Sequence, residues 1–268
     1  MTGRTAAPTP RPKEEMHGSA HDDRPQQHST PTAPPAVGTQ FRALPQPRYW
    51  LPVGILLCAA VVVLRLTVQL VPGDTTAELG VDQNLSLHHV AVLTAVAMGI
   101  NLLFGPVAGL ALIAAAALGI WLFRRDLVTA VAFGLTACSG WVASEAFKLL
   151  LARQRPNPAL LFDPLAPETG SNSFPSGHVS FAVALTFALY FLACRTRWAK
   201  LVAVAGAAMT LIVAWSRLYV GVHYPTDVAA SFLAASAAAV LLAGLWNRYA
   251  PALVERLPAT VLRPFGRA

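Results

Sequence analysis

The chain has 268 residues, 55% of them hydrophobic and only 12% charged, with a net charge of +7 and a mean hydropathy of +0.52. A charged fraction about half that of an ordinary soluble domain excludes a water-soluble globular protein and points to an integral membrane class. The pI near 9.8 could suggest a nucleic-acid partner, but the basic residues are massed neither in a run nor on one amphipathic face, so none is expected. The three cysteines, Cys58, Cys138 and Cys194, lie in apolar runs without Cys-x-x-Cys or Cys/His ligand spacing; neither a structural disulfide nor a zinc site is expected.

Residues 1–47 are rich in proline, threonine, histidine and mixed charge and hold almost nothing that could bury a core. This stretch reads as a disordered cytoplasmic tail, too polar and too long for a signal peptide. Its histidines, His17, His21 and His28, are not expected to be ligands. From Tyr49 onward the apolar runs have membrane length, about 20 residues each for a hydrocarbon core ~30 Å thick. Six spans are predicted, at about 50–71, 104–123, 127–149, 178–194, 200–218 and 226–246. The segment between Asp82 and Phe104, headed by His88 and His89 and interrupted by glycines and Asn101, reads as an interfacial or re-entrant helix rather than a seventh span. The expected fold is therefore all-α: a six-span helical bundle over 48–250, with a short cytoplasmic tail at 251–268.

Orientation follows from the cations of the short loops. Arg42 and Arg48 precede the first span, Arg124 and Arg125 separate the second and third, Arg195, Arg197 and Lys200 separate the fourth and fifth, and Arg248 follows the sixth. The positive-inside rule makes those four places cytoplasmic. Three polar clusters then fall on the opposite side: Lys148–Pro156 (KLLLARQRP), Pro175–His178 (PSGH) and Ser216–Asp227 (SRLYVGVHYPTD).

The first cluster supplies cations. Lys148 and Arg155 are seven residues apart, nearly two helical turns, so both are expected on one face of the end of the third span, which Pro156 then stops. Arg153 reads as a basic side chain snorkelling to the headgroups. Lys148 lies a turn deeper, where an unpaired charge is expensive, and Glu145 one turn earlier is its expected structural ion-pair partner. In the second cluster, Ser176 and Gly177 open an apolar helix whose first N–H groups can wrap an anionic oxygen, and His178 can hand a proton to a departing oxygen. In the third, Arg217 offers a planar bidentate donor. Asp227, after Pro225, reads in two ways: as a helix cap, or as a carboxylate that also orients His223 and leaves the other ring nitrogen free to attack phosphorus.

These clusters resemble the tripartite signature of the type 2 phosphatidic acid phosphatase family, which shares its pocket with the vanadium haloperoxidases. The family pattern K-x6-R-P, P-S-G-H, S-R-x5-H-x3-D is matched without a gap by Lys148/Arg155-Pro156, Pro175-Ser176-Gly177-His178 and Ser216-Arg217/His223/Asp227. The resemblance covers roughly residues 85–246. It departs from many members at Asn157-Pro158, where a second Arg-Pro is common, and at Ser231, where a glycine is.

The resemblance implies a bacterial membrane lipid phosphatase. His223 would be the nucleophile, oriented by Asp227, and His178 the general acid. Lys148, Arg155, Arg217, Ser176 and Gly177 would hold the phosphoryl oxygens, with no metal and no cofactor. The substrate would be a lipid phosphate or prenyl diphosphate drawn from the bilayer, cleaved at the extracytoplasmic face of the plasma membrane through a phosphohistidine. The alternatives are an undecaprenyl-diphosphatase specifically, or a vanadate-dependent haloperoxidase. Nothing in the sequence sets an oligomeric state.

Overall fold

The computed structural model describes residues 43–258 apart from Pro167; residues 1–42 and 259–268, which make up most of the two expected tails, lie outside the described residues. Among the described residues there are eight α-helices: α1 (Trp50–Leu70), α2 (Asp74–Leu87), α3 (Ala91–Leu103), α4 (Pro106–Arg124), α5 (Leu127–Leu150), α6 (Gly177–Ala193), α7 (Ala199–Val220) and α8 (Pro225–Val254). Five of them, α1, α4, α5, α7 and α8, are long and apolar enough to cross a membrane. The sixth expected span is α6, whose 17 residues sit at the lower end of the spanning range. The all-α, multi-span architecture read from the sequence is thus the one observed, with helix ends within a few residues of expectation everywhere but at α8. That helix continues to Val254, so the first residues of the expected C-terminal tail are helical.

Local signals explain where the helices start. Asp126 caps α5 by accepting the Thr129 backbone N–H at 2.9 Å, and proline stands in the first turn of both α4 and α8. The chain before α1 is held to α8 by Asn247, whose side-chain amide bonds both the N–H and the carbonyl of Leu44 at 2.8 Å.

The bundle centres on α6, which packs against α5, α7 and α8, while α1 lies along α8 and α4 along α5. Small residues make this possible, because without a hydrophobic drive between helices in lipid the gain comes from close backbone approach. At Gly140 a Cβ would fall 2.1 Å from the carbonyl oxygen of Ser180, so only glycine lets α5 and α6 meet there. The buried face of α8 is Ala230, Ser231, Ala234, Ala235, Ala239 and Ala243. Larger side chains fill the middle: Phe181 of α6 stacks on Trp141 of α5 with centroids 4.2 Å apart. Leucines and valines such as Leu56, Val107 and Leu149 face outward, as they must where the solvent is lipid.

The ambiguous segment resolves into two helices. α3 has 13 residues, about 20 Å at ~1.5 Å per residue, too short to cross alone, and it packs against α7. α2, which the apolar pattern did not mark at all, precedes it and also lies against α7. Gly221, at φ +76, ends α7 in the left-handed conformation that glycine adopts without strain. The chain turns there and brings His223 back toward the bundle.

Candidate active site

The three clusters meet at one end of the bundle, where α5 finishes, α6 begins, and α7 passes into α8. The first cluster is not built as the spacing suggested. α5 ends at Leu150, so Lys148 is on the helix but Arg155 is beyond it. Arg65 of α1 takes over the helix end by donating to the carbonyls of Leu151 and Ala152. The chain then runs extended, pairing Arg153 and Arg155 with residues 170–173: Arg153 N–H to Ser171, Arg155 N–H to Gly170, and Ser173 N–H to Arg153. This pairing fastens the first cluster to the approach of the second. Ser231 fastens the second to the third, its hydroxyl donating to the carbonyl of Ser176 at 3.1 Å and to that of Asp227 at 2.7 Å.

Contacts link the predicted residues in small groups. The Lys148 ammonium lies at the start of α6, 3.5 Å from where a Gly177 Cβ would stand, and pairs with Glu145 at 2.7 Å as expected. Ser176 is fully buried and its hydroxyl has no hydrogen-bond partner. His178 shares Nε2 with the carbonyl of Asn101 at 3.1 Å. The Asn101 side chain in turn accepts from Nη1 of Arg217 at 2.7 Å. Arg217 is wholly buried, and its Nε and Nη2 are without partners. Buried donors left unpaired are expensive. Ser176 and Arg217 both belong to the phosphate-binding set expected from the sequence, and an anion within reach would satisfy them.

Arg155 reaches His223 from the other side, with Nη1 3.4 Å from Nε2 of the ring, 3.1 Å from the Val222 carbonyl and 2.9 Å from Glu168. The Nδ1 of His223 faces Oδ2 of Asp227 at 3.6 Å and the Ser173 hydroxyl at 3.5 Å. That orientation leaves Nε2 pointing among the cations. Burial, the largest influence, pushes the imidazolium of His223 down to about 4; Asp227 works against it, and Arg155 and Arg217 add to it. Near neutral pH the ring is uncharged, as a nitrogen nucleophile must be.

Asp227 caps α8 and also faces Nδ1 of His223. Its Oδ2 accepts the backbone N–H of Tyr224 at 2.9 Å, closing the first turn of α8, and the hydroxyl of Ser173 at 2.5 Å. Its Oδ1 accepts from Nη1 of Arg153 at 2.7 Å. Arg153 therefore does not snorkel. It is 5% exposed, bound also to Glu78 and Thr226, and its guanidinium lies 4.1 Å over the ring of Tyr224. Burial acts to lower this guanidinium, but the charges of Asp227 and Glu78 outweigh it and hold it above its usual value. Two carboxylates far away in sequence captured a side chain that would otherwise have gone to the headgroups.

Four site residues were not read from the sequence: Glu78, Asn101, Arg153 in this role, and Ser173. Only Asn101, a polar residue breaking an apolar run, left a visible signal.

A bundle of apolar helices carrying this ring of cations, two histidines and a carboxylate at one end is a polytopic membrane phosphatase. Residues 127–250 match the model of the PAP2 superfamily. The chain is 29% identical over 153 residues to the undecaprenyl-diphosphatase BcrC of Bacillus subtilis, covering 55% of this chain and 68% of the relative. It is 26% identical over 199 residues to an undecaprenyl-diphosphatase of Sulfolobus acidocaldarius, covering 70% and 86%. The fold is similar to the crystal structure of a transmembrane PAP2 type phosphatidylglycerolphosphate phosphatase from Bacillus subtilis. That match has a TM-score of 0.63 at 24% identity and covers 73% of this chain and 96% of that one.

Proposed function

We propose that the protein removes the terminal phosphate of a prenyl diphosphate, undecaprenyl diphosphate foremost, at the extracytoplasmic face of the membrane and through a phosphohistidine. The observation that carries the mechanism is the set of the His223 ring, with Nδ1 toward Asp227 and Nε2 toward Arg155. Nε2 attacks the terminal phosphorus as the bond to the bridging oxygen breaks, and His178 gives that oxygen its proton. Water then attacks the phosphohistidine, the P–N bond breaks, and His178 recovers a proton from the water. Lys148, Arg155 and Arg217, with the Ser176 hydroxyl and the Gly177 N–H, hold the phosphoryl oxygens and meet the charge that grows on them.

The choice of substrate is supported by the names of the relatives in Bacillus and Sulfolobus. Entry of a lipid from the side is supported by the place of the site, at one end of outward-apolar helices rather than in a water-facing domain. The outward orientation is supported by Arg124, Arg125, Arg195, Arg197 and Lys200, all in or beside the short connections α4–α5 and α6–α7 at the far end of the bundle.

The test is phosphate release by the purified protein from undecaprenyl diphosphate, phosphatidic acid and phosphatidylglycerol phosphate in mixed micelles. The expected result is the highest kcat/KM on the prenyl diphosphate. Equal or higher values on the glycerolipids would set the substrate assignment aside while leaving the mechanism standing.

A further inference from the structure

α2 is the most polar helix of the bundle (DTTAELGVDQNLSL), yet it presents two carboxylates inward: Glu78 is 9% exposed and Asp82 fully buried. Glu78 grips two parts of the site at once. One oxygen accepts from Nη2 of Arg153, and the other accepts the backbone N–H of Thr226 at 2.7 Å, in the first turn of α8. Arg153 is thereby shared between two carboxylates, Glu78 and Asp227, which approach different nitrogens of one guanidinium. No bond joins Glu78 to Lys148, Arg155, Ser176, His178, Arg217 or His223.

The charge count gives this arrangement a consequence. If Arg153 faced Asp227 alone, the pair would be neutral and Asp227 would lend little negative charge to His223. With Glu78 sharing the guanidinium, the buried trio carries one net negative charge, and Asp227 is its member that faces the imidazole. The ring becomes cationic when Nε2 bonds to phosphorus, so the surplus charge is felt in the reaction more than in the resting enzyme. Asp82, one turn along α2, adds no further charge near neutral pH. Burial, with the charges of Asp227 and Glu78, pushes its carboxyl up to about 8.

We propose that Glu78 is a positioning residue of this active site: through Arg153 it holds Asp227 in place and sets how much of its negative charge reaches His223. The inference rests on the reading of His223 as nucleophile. The other charged or titratable groups around His223 are Arg155, Arg217 of α7 and His178 of α6. Those around Arg153 are Glu78 and Asp82 of α2, Asp227 of α8 and Arg65 of α1.

The experiment is the pH dependence of kcat and KM for the full-length protein in micelles, comparing wild type with Glu78→Gln, Arg153→Gln, the double variant and a His223→Ala control. The acid limb of kcat/KM follows the nucleophile of the free enzyme. Glu78→Gln leaves Arg153 and Asp227 as a neutral pair, so less negative charge reaches His223 and the limb moves to lower pH. At the plateau kcat falls by about tenfold, the equivalent of one pKa unit, with KM within about twofold because no pocket group has changed. Arg153→Gln leaves two unbalanced carboxylates and moves the limb to higher pH, and the double variant lies between the two.

Limbs that stay put, or that move in the same direction in both single variants, would overturn the proposal. If Glu78→Gln does not fold, Glu78→Asp decides. A lowered kcat with the wild-type limb and KM supports the proposal, and an unchanged kcat or a raised KM alone overturns it. An active His223→Ala protein would instead remove the phosphohistidine reading itself, so the two failures are told apart.

Discussion

His223 and Asp227 stand one helical turn apart, and Oδ2 of the aspartate both accepts the Tyr224 backbone N–H at 2.9 Å and faces Nδ1 of the histidine at 3.6 Å. The oxygen that closes the first turn of α8 is therefore also the one that the imidazole faces. Replacing Asp227 with asparagine separates the two roles, because an amide oxygen can still cap α8 but carries no charge to set against a cationic ring. The expected outcome in steady-state kinetics is a kcat lower by on the order of 10³-fold, with a much smaller change in KM.

In the proposed mechanism His178 contributes a proton and no bond to phosphorus, so the effect of its loss should depend on the leaving group. For His178→Ala, turnover of a lipid phosphate falls by about 10²–10⁴-fold. An aryl phosphate, whose phenolate departs without protonation, loses far less. The ratio of the two losses is the measurement, and equal losses would move His178 from proton donor to phosphate binding.

Asp82 is a buried carboxyl with neither oxygen hydrogen-bonded. In the folded protein it titrates near 8, against its ordinary 3.8 in the unfolded chain. Between those values the unfolded state holds fewer protons, so this group lowers stability as the pH rises from about 4 to about 8. Asp82→Asn removes the titration. Its thermal midpoint should exceed that of wild type at pH 8, with the gap closing as the pH falls toward 4.

The fold was legible to the extent that single segments determine it. Six runs of apolar residues became six helices with little shift, because a ~30 Å slab demands that length whatever the neighbours are. Lys148 and Glu145 were legible for the same reason, being partners three residues apart on one helix. α2 was not: its sequence is polar and without a marked period, and it is held by Glu78 on Arg153 and Thr226 and by Gln83 and Ser86 on Leu160 and Phe162. Arg153 was misread because its partners lie 74 and 75 residues away, and a cation at a span end with no visible partner belongs at the headgroups. Arg155 was placed on a helix that Arg65 and the pairing with residues 170–173 end five residues earlier.

The proposed outward orientation of the site is open to direct labelling. A single cysteine in the loop 157–174, in a background lacking Cys58, Cys138 and Cys194, should react with a membrane-impermeant maleimide added to intact cells, whereas one at Arg125 should react only after the membrane is opened. The reverse pattern would place the pocket on the cytoplasmic side.

The phosphohistidine itself is the most direct test. With substrate labelled in the terminal phosphate, an alkaline denaturing quench within the first turnovers should trap label on the wild-type protein in an acid-labile, base-stable form, mapping to the peptide that carries His223. The His223→Ala protein should trap none and release no phosphate. Phosphate release by His223→Ala at near wild-type rate, or label that maps to another residue, would contradict the account.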